Sequence, residues 1–292
     1  MDRYGVIGWP IEHSLSPAMQ NAAFNALGIE AKYEKIPIEP RLLEDFLLNN
    51  KEYKGFNITV PHKVKAREIL QKKFNTAKTL SYPHYDKLSG AVNTVKRSGG
   101  DLEYCNTDPI GFRHSLEEDL GFKTTGKNVI VIGCGGAGRA IVSDLSDSAH
   151  RIRKIYLYDI DREAVDSMQR HLSDVLPDWN KGIEFIRESE ISGKIEICQL
   201  LINTSPVGMR EGDPSPIDRR LLRRDLYIYD VVYNRETQLV RDAISAGAPA
   251  VTGKGMLAAQ GAFAFSFWTG CKPADVIGTM KDALSKALTS LT

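Results

Sequence analysis

The chain has 292 residues, of which 42% are hydrophobic and 26% charged, with 38 basic and 37 acidic side chains. This length suggests about two globular domains, and the composition excludes collagen-like, disordered and low-complexity proteins. The balanced charge provides no basic surface for nucleic acid and no attraction to a membrane, so the expected partner is a small molecule.

Cysteine usage and the N-terminus indicate a reducing compartment. The four cysteines lie far apart and include no Cys-x-x-Cys pair, so neither a disulfide framework nor a zinc site is predicted. The first residues lead directly into a short apolar strand pattern, and no apolar stretch reaches 18 residues. We therefore expect a cytoplasmic protein without a membrane span or a metal, acting as a monomer or a homodimer.

Short apolar runs alternate with helix-periodic segments along the whole chain, which is typical of an α/β fold with mainly parallel sheets. Strands are predicted at 4–8, 31–38, 55–60 and 91–96. Between the first two, apolar residues recur at helical spacing from Met19 to Leu27, ahead of a glycine suited to end a helix. These elements predict an α/β lobe over residues 1–108.

A second lobe is predicted over residues 109–254. A helix from Pro109 to Gly121 is followed by strands at 127–132, 154–158, 199–203 and 226–232, with a helix at about 138–145. This order is typical of a Rossmann-type, doubly wound nucleotide-binding domain. Two further helices are predicted within residues 255–292, and since no strand follows them we expect them to return to the first lobe.

A glycine-rich turn is the strongest local signal in the second lobe. Its sequence is Gly133-Cys134-Gly135-Gly136-Ala137-Gly138, which satisfies G-x-G-x-x-G between an apolar strand and a helix. There the first glycine allows a tight turn, the second lets the backbone approach a pyrophosphate, and the third lets helix and strand pack closely. The helix N-terminus favours the anionic phosphates, so the sequence predicts a dinucleotide site.

The residue after the next strand indicates which dinucleotide binds. Asp159 lies about 20 residues after the turn, where a carboxylate accepts hydrogen bonds from an adenosine ribose. Because a 2′-phosphate carries a charge of about −1.5 to −2, Asp159 predicts NAD in preference to NADP. Arg162 could approach a 2′-phosphate, so a ratio is expected and not an exclusion. The alternative is a structural turn followed by an aspartate that caps a helix.

Four polar clusters are not required by strand or helix packing. They are His13-Ser14-Leu15-Ser16-Pro17, Asn57-Ile58-Thr59-Val60-Pro61-His62-Lys63, Gly90-Ala91-Val92-Asn93-Thr94-Val95 and Asn106-Thr107-Asp108-Pro109. Together with the glycine-rich turn and the segments 203–209 and 255–261, they resemble the shikimate dehydrogenase family in order and spacing over nearly the whole chain.

Three of these residues also have interpretations of their own. Lys63 lies near the start of a predicted helix, whose partial positive charge disfavours an ammonium and suits proton transfer near neutral pH; the alternative is an ordinary surface lysine. Asp108 precedes Pro109 and Ser16 precedes Pro17, so each occupies a position expected for a helix N-cap.

The resemblance implies an enzyme of the shikimate pathway of aromatic amino acid biosynthesis that interconverts shikimate and 3-dehydroshikimate with NAD or NADP. It implies that Lys63 and Asp108 flank the reacting hydroxyl and handle its proton. The residues that it places at the substrate carboxylate are Ser14, Ser16 and Tyr233, and those at the ring hydroxyls or the carboxylate are Asn57, Thr59, Asn93 and Gln260. The residues that it places at the nicotinamide end are Thr204, Ser205, Pro206, Val231 and Gly253.

The resemblance also implies the domain roles, with 1–108 as the substrate-binding catalytic domain, 109–254 as the NAD(P)-binding domain and 255–292 packed on the former. Family members that use NADP commonly have an Asn-Arg-Thr type motif where this chain has Asp159-Ile160-Asp161. The open alternatives are a mainly NAD-dependent quinate/shikimate or aminoshikimate dehydrogenase and a non-catalytic dinucleotide-binding regulator. The Lys63 and Asp108 pair argues against the regulator.

Overall fold

The computed structural model describes residues 1–74, 85–99, 101–147, 150–176 and 178–290. The chain divides into two compact units, Met1–Gly111 with Ala258–Thr292, and Phe112–Leu257. Each unit has its own sheet with helices packed on it, so the predicted α/β fold is confirmed. Within the described ranges, no helix is both long enough and apolar enough to cross a membrane.

The strands and helices alternate through most of the chain. The strands are β1 (Asp2–Gly8), β2 (Ala31–Pro37), β3 (Gly55–Ile58), β4 (Thr94–Ser98), β5 (Asp101–Cys105), β6 (Asn128–Ile132), β7 (Lys154–Tyr158), β8 (Ile183–Phe185), β9 (Leu200–Asn203), β10 (Tyr227–Asp230) and β11 (Ala250–Thr252). The helices are α1 (Ser16–Ala26), α2 (Leu43–Asn49), α3 (Lys63–Lys73), α4 (Tyr85–Ser89), α5 (Asp108–Glu118), α6 (Gly136–Leu145), α7 (Arg162–Val175), α8 (Trp179–Gly182), α9 (Ile191–Ile197), α10 (Gln238–Ser245), α11 (Lys254–Thr269) and α12 (Ile277–Thr289).

The first unit has a mixed sheet with the order β2-β1-β3-β4-β5. β1 pairs in parallel with β2 and β3, whereas β3, β4 and β5 pair antiparallel. Because β1 and β3 are parallel, their carboxyl ends lie at one edge of the sheet, and the polar clusters 13–17 and 57–63 follow those ends. The antiparallel register then places Thr94 opposite both Asn57 and Cys105, which brings the other two clusters to the same edge.

The second unit has an all-parallel sheet with the order β11-β10-β9-β6-β7-β8. Counted from β6, this is the 3-2-1-4-5-6 order of a doubly wound dinucleotide-binding fold. Four successive residues of β6, 129–132, are at most 5% exposed, as expected for a strand covered on both faces. The chain reverses direction across the sheet between β6 and β9, which is where such folds bind their ligands.

The last two helices belong mainly to the first unit. The Trp268 indole N–H on α11 donates to the Val95 carbonyl on β4 at 2.9 Å. A Cβ on Gly55 would lie 2.6 Å from the Trp268 ring, so glycine at this position lets the indole approach the sheet. The aromatic residues Phe265, Phe267 and Trp268 of α11 are each at most 7% exposed and belong to the core.

Three strands were missed by the pattern analysis. β8 and β11 have three residues each, too few to show periodicity. β5 alternates charged and apolar residues and forms a hairpin with β4 next to Gly99, whose φ is +61°. The predicted strand 91–96 begins at Thr94 instead, although the Asn93 backbone still bonds to Ile58 and Cys105.

Candidate active site

The Lys63 ammonium and the Asp108 carboxylate form the charged centre of the site in the first unit. Lys63 Nζ lies 2.6 Å from Asp108 Oδ2, and the two side chains are 20% and 9% exposed. Lys63 is the first residue of α3 and Asp108 the first residue of α5, so both charges stand at helix starts. The helix N-terminus stabilises the carboxylate and opposes the ammonium, and the ion pair compensates the lysine.

The carboxylate of Asp108 does not act as the helix cap that the sequence predicted. Its two oxygens accept from Lys63 Nζ and from Asn93 Nδ2, the latter at 2.8 Å. Asn106 Oδ1 accepts from the Asp108 backbone N–H at 3.1 Å. The capping prediction for Asp108 is wrong, because Asp108 is the first residue of α5 and its carboxylate accepts from Lys63 and Asn93.

Asn93 holds this centre in place. Its Oδ1 accepts from the Thr107 backbone N–H and the Thr94 hydroxyl, each at 2.8 Å, and its Nδ2 donates to Asp108 and to Thr107 Oγ1. Only 2% of Asn93 is exposed. Gln260 Oε1 lies 3.4 Å from Asn93 Nδ2, so Gln260 joins the same cluster from α11.

The approach of Gln260 depends on a glycine in α5. A Cβ on Gly111 would lie 2.7 Å from both the backbone nitrogen and the Cβ of Gln260. Glycine inside a helix costs about 0.5–1 kcal/mol relative to alanine, and the close approach of α11 explains why this helix contains one. α5 and α11 thus meet at a point where the backbones nearly touch, and Gln260 is set beside Asp108.

The two predicted carboxylate-binding serines lie at the start of α1, both partly exposed. Ser16 is the first helical residue and Leu15 occupies the N-cap position, so the capping prediction for Ser16 is wrong. The Ser16 backbone N–H lies 3.4 Å from Ser14 Oγ, which leaves the Ser14 hydroxyl proton available to a ligand. Thr59, also partly exposed, follows β3 and lies close to Gly8.

The glycine-rich turn has the form that the sequence predicted. Gly133 has a φ of +110°, and a Cβ there would lie 2.4 Å from Thr204 Oγ1. A Cβ on Gly138 would lie 2.2 Å from the Gly133 carbonyl oxygen, so α6 packs tightly against the turn. Burial raises the pKa of the Cys134 thiol to about 12, which favours the neutral thiol in this turn.

The two middle glycines face open space. A Cβ on Gly135 or Gly136 would meet no protein atom within 4 Å, so the protein's own packing does not require glycine at either position. An α6 of 10 residues begins here, and a helix N-terminus favours anions. Together with partly exposed Ala137, these residues fit a dinucleotide pyrophosphate that approaches the backbone closely.

Asp159 lies beside this turn at the end of β7. Its Oδ2 accepts from the Cys134 backbone N–H at 2.7 Å, and its Oδ1 accepts from the Asp161 backbone N–H at 2.9 Å. The side chain is partly exposed, and Arg162, the first residue of α7, is exposed. Asp161 caps α7 by accepting from the Glu163 backbone N–H, so the predicted alternative role of a helix cap belongs to Asp161.

A second loop of the Rossmann unit is held by a buried aspartate that sequence reasoning missed. Asp230 is fully buried and accepts from Asn203 Nδ2 at 3.0 Å, the Val232 backbone N–H at 3.1 Å and the Thr237 hydroxyl at 2.6 Å. Burial raises the pKa of Asp230. The carboxylate thus joins the ends of β9 and β10 to the start of α10.

The residues predicted at the nicotinamide end lie around these strand ends. The Thr204 hydroxyl lies within hydrogen-bond distance of the Gly133 carbonyl (2.8 Å), and Ser205 Oγ donates to Asn203 Oδ1 at 2.6 Å. Pro206 is exposed. A Cβ on Gly253 would lie 2.1 Å from the Val231 carbonyl, so Gly253 serves packing. Tyr233 is partly exposed, and burial raises its pKa.

The structure provides a structural role for one motif histidine. His62 is 1% exposed, and its Nε2 lies 2.7 Å from the Ile38 carbonyl. Among the residues that the structure describes, no group of three or more histidine, cysteine or acidic side chains is placed to hold a metal ion.

Comparisons with known proteins agree on one family. A family model for the shikimate dehydrogenase substrate binding domain matches residues 6–95, and one for the shikimate 5′-dehydrogenase C-terminal domain matches residues 253–284. A shikimate dehydrogenase (NADP(+)) of Geobacter sp. (strain M21) is 36% identical over 287 residues, which is 97% of this chain and 94% of the relative.

Solved structures of similar fold bind either dinucleotide. A crystal structure of a shikimate dehydrogenase in complex with NADP⁺ has a TM-score of 0.83 and 31% identity, covering 99% of this chain and 96% of the other. A quinate dehydrogenase from Corynebacterium glutamicum in complex with NAD has a TM-score of 0.83 and 26% identity, covering 98% of this chain and 99% of the other.

Proposed function

The chain belongs to the shikimate dehydrogenase family, and on that basis we propose that it interconverts shikimate and 3-dehydroshikimate. It is an NAD(P)-dependent oxidoreductase that acts on a CH–OH group. The observation that supports this activity most directly is the Lys63–Asp108 pair at 2.6 Å, held by Asn93 among the other predicted substrate residues of the first unit. A regulator that only binds a dinucleotide has no need for such a pair.

Lys63 and Asp108 are proposed to handle the proton of the reacting hydroxyl. When bound, NAD(P) supplies the nicotinamide that accepts the hydride from the ring carbon. As the C–H bond breaks, the hydroxyl proton passes to Lys63 in its amine form, which becomes the ammonium, and the C–O bond becomes a carbonyl. The carboxylate accepts from Asn93 on its other oxygen, so Asp108 stays in position while it orients the ammonium.

The remaining predicted residues are proposed to position the substrate. Ser14 has a hydroxyl proton available for a carboxylate, while Asn57 and Gln260 lie at the same sheet edge as the ion pair. Hydroxyl and amide groups both donate and accept, which suits a polyol acid. Held rigidly beside Lys63, they bring the hydroxyl to the proton acceptor before hydride transfer begins.

The proposed activity is tested by initial rates of the purified protein with shikimate and quinate, each with NAD and NADP. We expect turnover of shikimate, followed as reduced nicotinamide absorbance at 340 nm. Faster turnover of quinate at equal concentrations would point to the alternative quinate/shikimate dehydrogenase. A protein that binds the dinucleotide but turns over neither substrate would contradict the proposal.

The preference of the cofactor site is proposed to be for NAD. Asp159 lies at the turn that carries Gly135 and Gly136, and its two oxygens already accept from backbone amides. Two unit charges about 4 Å apart repel by roughly 4 kcal/mol at an effective dielectric of 20, so a 2′-phosphate next to this carboxylate is disfavoured. The likeness to a quinate dehydrogenase in complex with NAD supports this preference. Because Arg162 is exposed and could approach a 2′-phosphate, we expect a preference for NAD and not an exclusion of NADP.

Asp159→Asn is expected to lower the ratio of kcat/KM with NAD to kcat/KM with NADP by at least about tenfold, because the repulsion of the 2′-phosphate is removed. Asp161→Asn is the matched control: it removes an exposed carboxylate two residues away, and asparagine is an equally good helix cap. An unchanged ratio in Asp159→Asn, or an equal change in both variants, would contradict the assignment.

We also propose that the enzyme acts in the cytoplasm as a monomer or a homodimer. Sedimentation velocity of the purified protein measures its oligomeric state directly.

A further inference from the structure

Tyr33 of β2 lies behind the candidate active site, and neither the motifs nor the proposed function uses it. It is 1% exposed, and its ring packs against Trp268 with centroids 6.0 Å apart. Its hydroxyl contacts a predicted substrate residue, donating to Asn57 Oδ1 at 2.7 Å. A buried phenol thus reaches from the core into the site.

The direction of this hydrogen bond is fixed by its neighbours. Asn57 Nδ2 lies 3.1 Å from the Asn93 carbonyl oxygen, which only accepts, so the amide nitrogen must face that way. Asn57 Oδ1 then faces Tyr33 and accepts from it. The phenol has a single proton, which it donates to Asn57. Burial raises the pKa of Tyr33 well above its usual range, which keeps that proton in place.

The same polarity continues to the ion pair. Asn57 Nδ2 donates to Thr94 Oγ1 at 3.0 Å, and the Thr94 hydroxyl donates to Asn93 Oδ1 at 2.8 Å. Asn93 Nδ2 donates to Asp108. A continuous chain of side chains therefore leads from Tyr33 to the carboxylate, and every donor in it points toward Asp108. We call this the Tyr33–Asp108 chain.

We propose that Tyr33 is a positioning residue of the active site, which holds the Asn57 amide at the start of the Tyr33–Asp108 chain by donating to its Oδ1. The inference rests on the proposed function, since it treats Asn57, Asn93 and Asp108 as parts of the substrate site. Without the phenol, Asn57 Oδ1 is a buried acceptor without a donor, and the amide loses one of the contacts that hold it in place. The effect reaches the substrate through Asn57 and Asn93, with no contact from Tyr33 itself.

The test is Tyr33→Phe, which removes one oxygen and keeps the ring. We expect kcat/KM for shikimate to fall about tenfold or more, in line with the loss of a buried hydrogen bond, while the KM for the dinucleotide stays unchanged. Tyr4→Phe is the matched control: Tyr4 is also buried and packs on Trp268 with ring centroids 5.2 Å apart, outside the chain. It should keep wild-type kinetics.

A double-mutant cycle distinguishes the chain from simple packing. Thr94→Val removes the Thr94 hydroxyl, which lies two steps further along the chain. We expect the losses of kcat/KM caused by Thr94→Val and by Tyr33→Phe to be strongly non-additive when the two substitutions are combined. Tyr4→Phe combined with Thr94→Val should be additive. Thr94→Ser keeps the hydroxyl and should retain most of the activity, so the Thr94 pair tests the chain even if Tyr33→Phe does not fold.

The inference fails if Tyr33→Phe keeps wild-type kinetics as Tyr4→Phe does, or if its KM for shikimate and its KM for the dinucleotide rise together. It also fails if the cycle of Tyr33→Phe with Thr94→Val is additive. These outcomes leave the proposed function intact, because wild type would still oxidise shikimate. A wild-type protein that does not turn over shikimate would instead remove the proposed function and, with it, the premise of this inference.

Discussion

Replacing Lys63 with alanine is expected to lower kcat for shikimate by about 10²–10⁴-fold, the range typical of a lost general acid or base, while the Kd for shikimate changes by only a few-fold. The rate falls because the hydroxyl proton loses its acceptor as the hydride leaves. Binding persists because the carboxylate and the other hydroxyls of shikimate contact residues other than Lys63 in the proposed site. Steady-state rates and direct titration of shikimate by calorimetry measure the two quantities.

A loss of stability must be separated from this loss of rate. Without Lys63, the Asp108 carboxylate, 9% exposed, loses its ion-pair partner, and breaking a buried pair costs up to about 3–5 kcal/mol. The double variant Lys63→Ala with Asp108→Asn removes the uncompensated charge and should regain stability without regaining rate. Lys65→Ala, on the same helix and exposed, is the control with wild-type kinetics. A Lys63→Ala enzyme within a few-fold of the wild-type rate would refute the assignment.

Two alanine substitutions in the glycine-rich turn are expected to have opposite consequences. Gly138→Ala places a Cβ 2.2 Å from the Gly133 carbonyl, and no side-chain rotation relieves a clash with backbone. We expect a loss of about 3 kcal/mol or more, with a Tm lower by roughly 6–12 °C. Gly135→Ala meets no protein atom within 4 Å, so its Tm should not fall, while the KM for the dinucleotide should rise at least about tenfold.

Together, Gly138→Ala and Gly135→Ala separate the effect on folding from the effect on cofactor recognition within one motif. Differential scanning calorimetry without dinucleotide reports the first property, and KM values for NAD and NADP report the second. Gly182→Ala, at a position outside the turn where a Cβ also has open space, is a control for both measurements. If Gly135→Ala loses stability as Gly138→Ala does, or keeps the wild-type KM, then the open face of the turn does not hold the pyrophosphate.

The Rossmann unit was largely predictable because its determinants are local. The turn 133–138 lies between a buried strand and a helix, and the chemistry of each glycine follows from its place in that short segment. The structure gives Gly133 and Gly138 the packing roles that the pattern indicates. Asp230 was missed because its partners on β9 and α10 lie 27 and 7 residues away, and a single aspartate after a strand has no local signature.

The substrate unit was predictable in its motifs and less so in its contacts. Asn93 and Asp108 were expected at the site, and the position of Asp108 before Pro109 also suggested a helix cap. In the structure Asp108 is the first residue of α5, and its carboxylate accepts from Lys63 and Asn93. Thr94 and Thr107 stood next to predicted residues, so their motifs contained the signal. Tyr33 had none, since a tyrosine in a strand is ordinarily core, and only the register of the sheet shows which polar atom its hydroxyl meets.

The order of the chain has a consequence for the biosynthesis of the protein. Phe112–Leu257 forms a compact unit from one continuous segment, so it can fold while the ribosome is still adding residues. The first unit cannot, because Trp268 closes its core and Gln260 joins Asn93 beside Asp108. The proposed catalytic centre can therefore be complete only after α11 has left the ribosome, whereas the proposed dinucleotide-binding unit can fold before that.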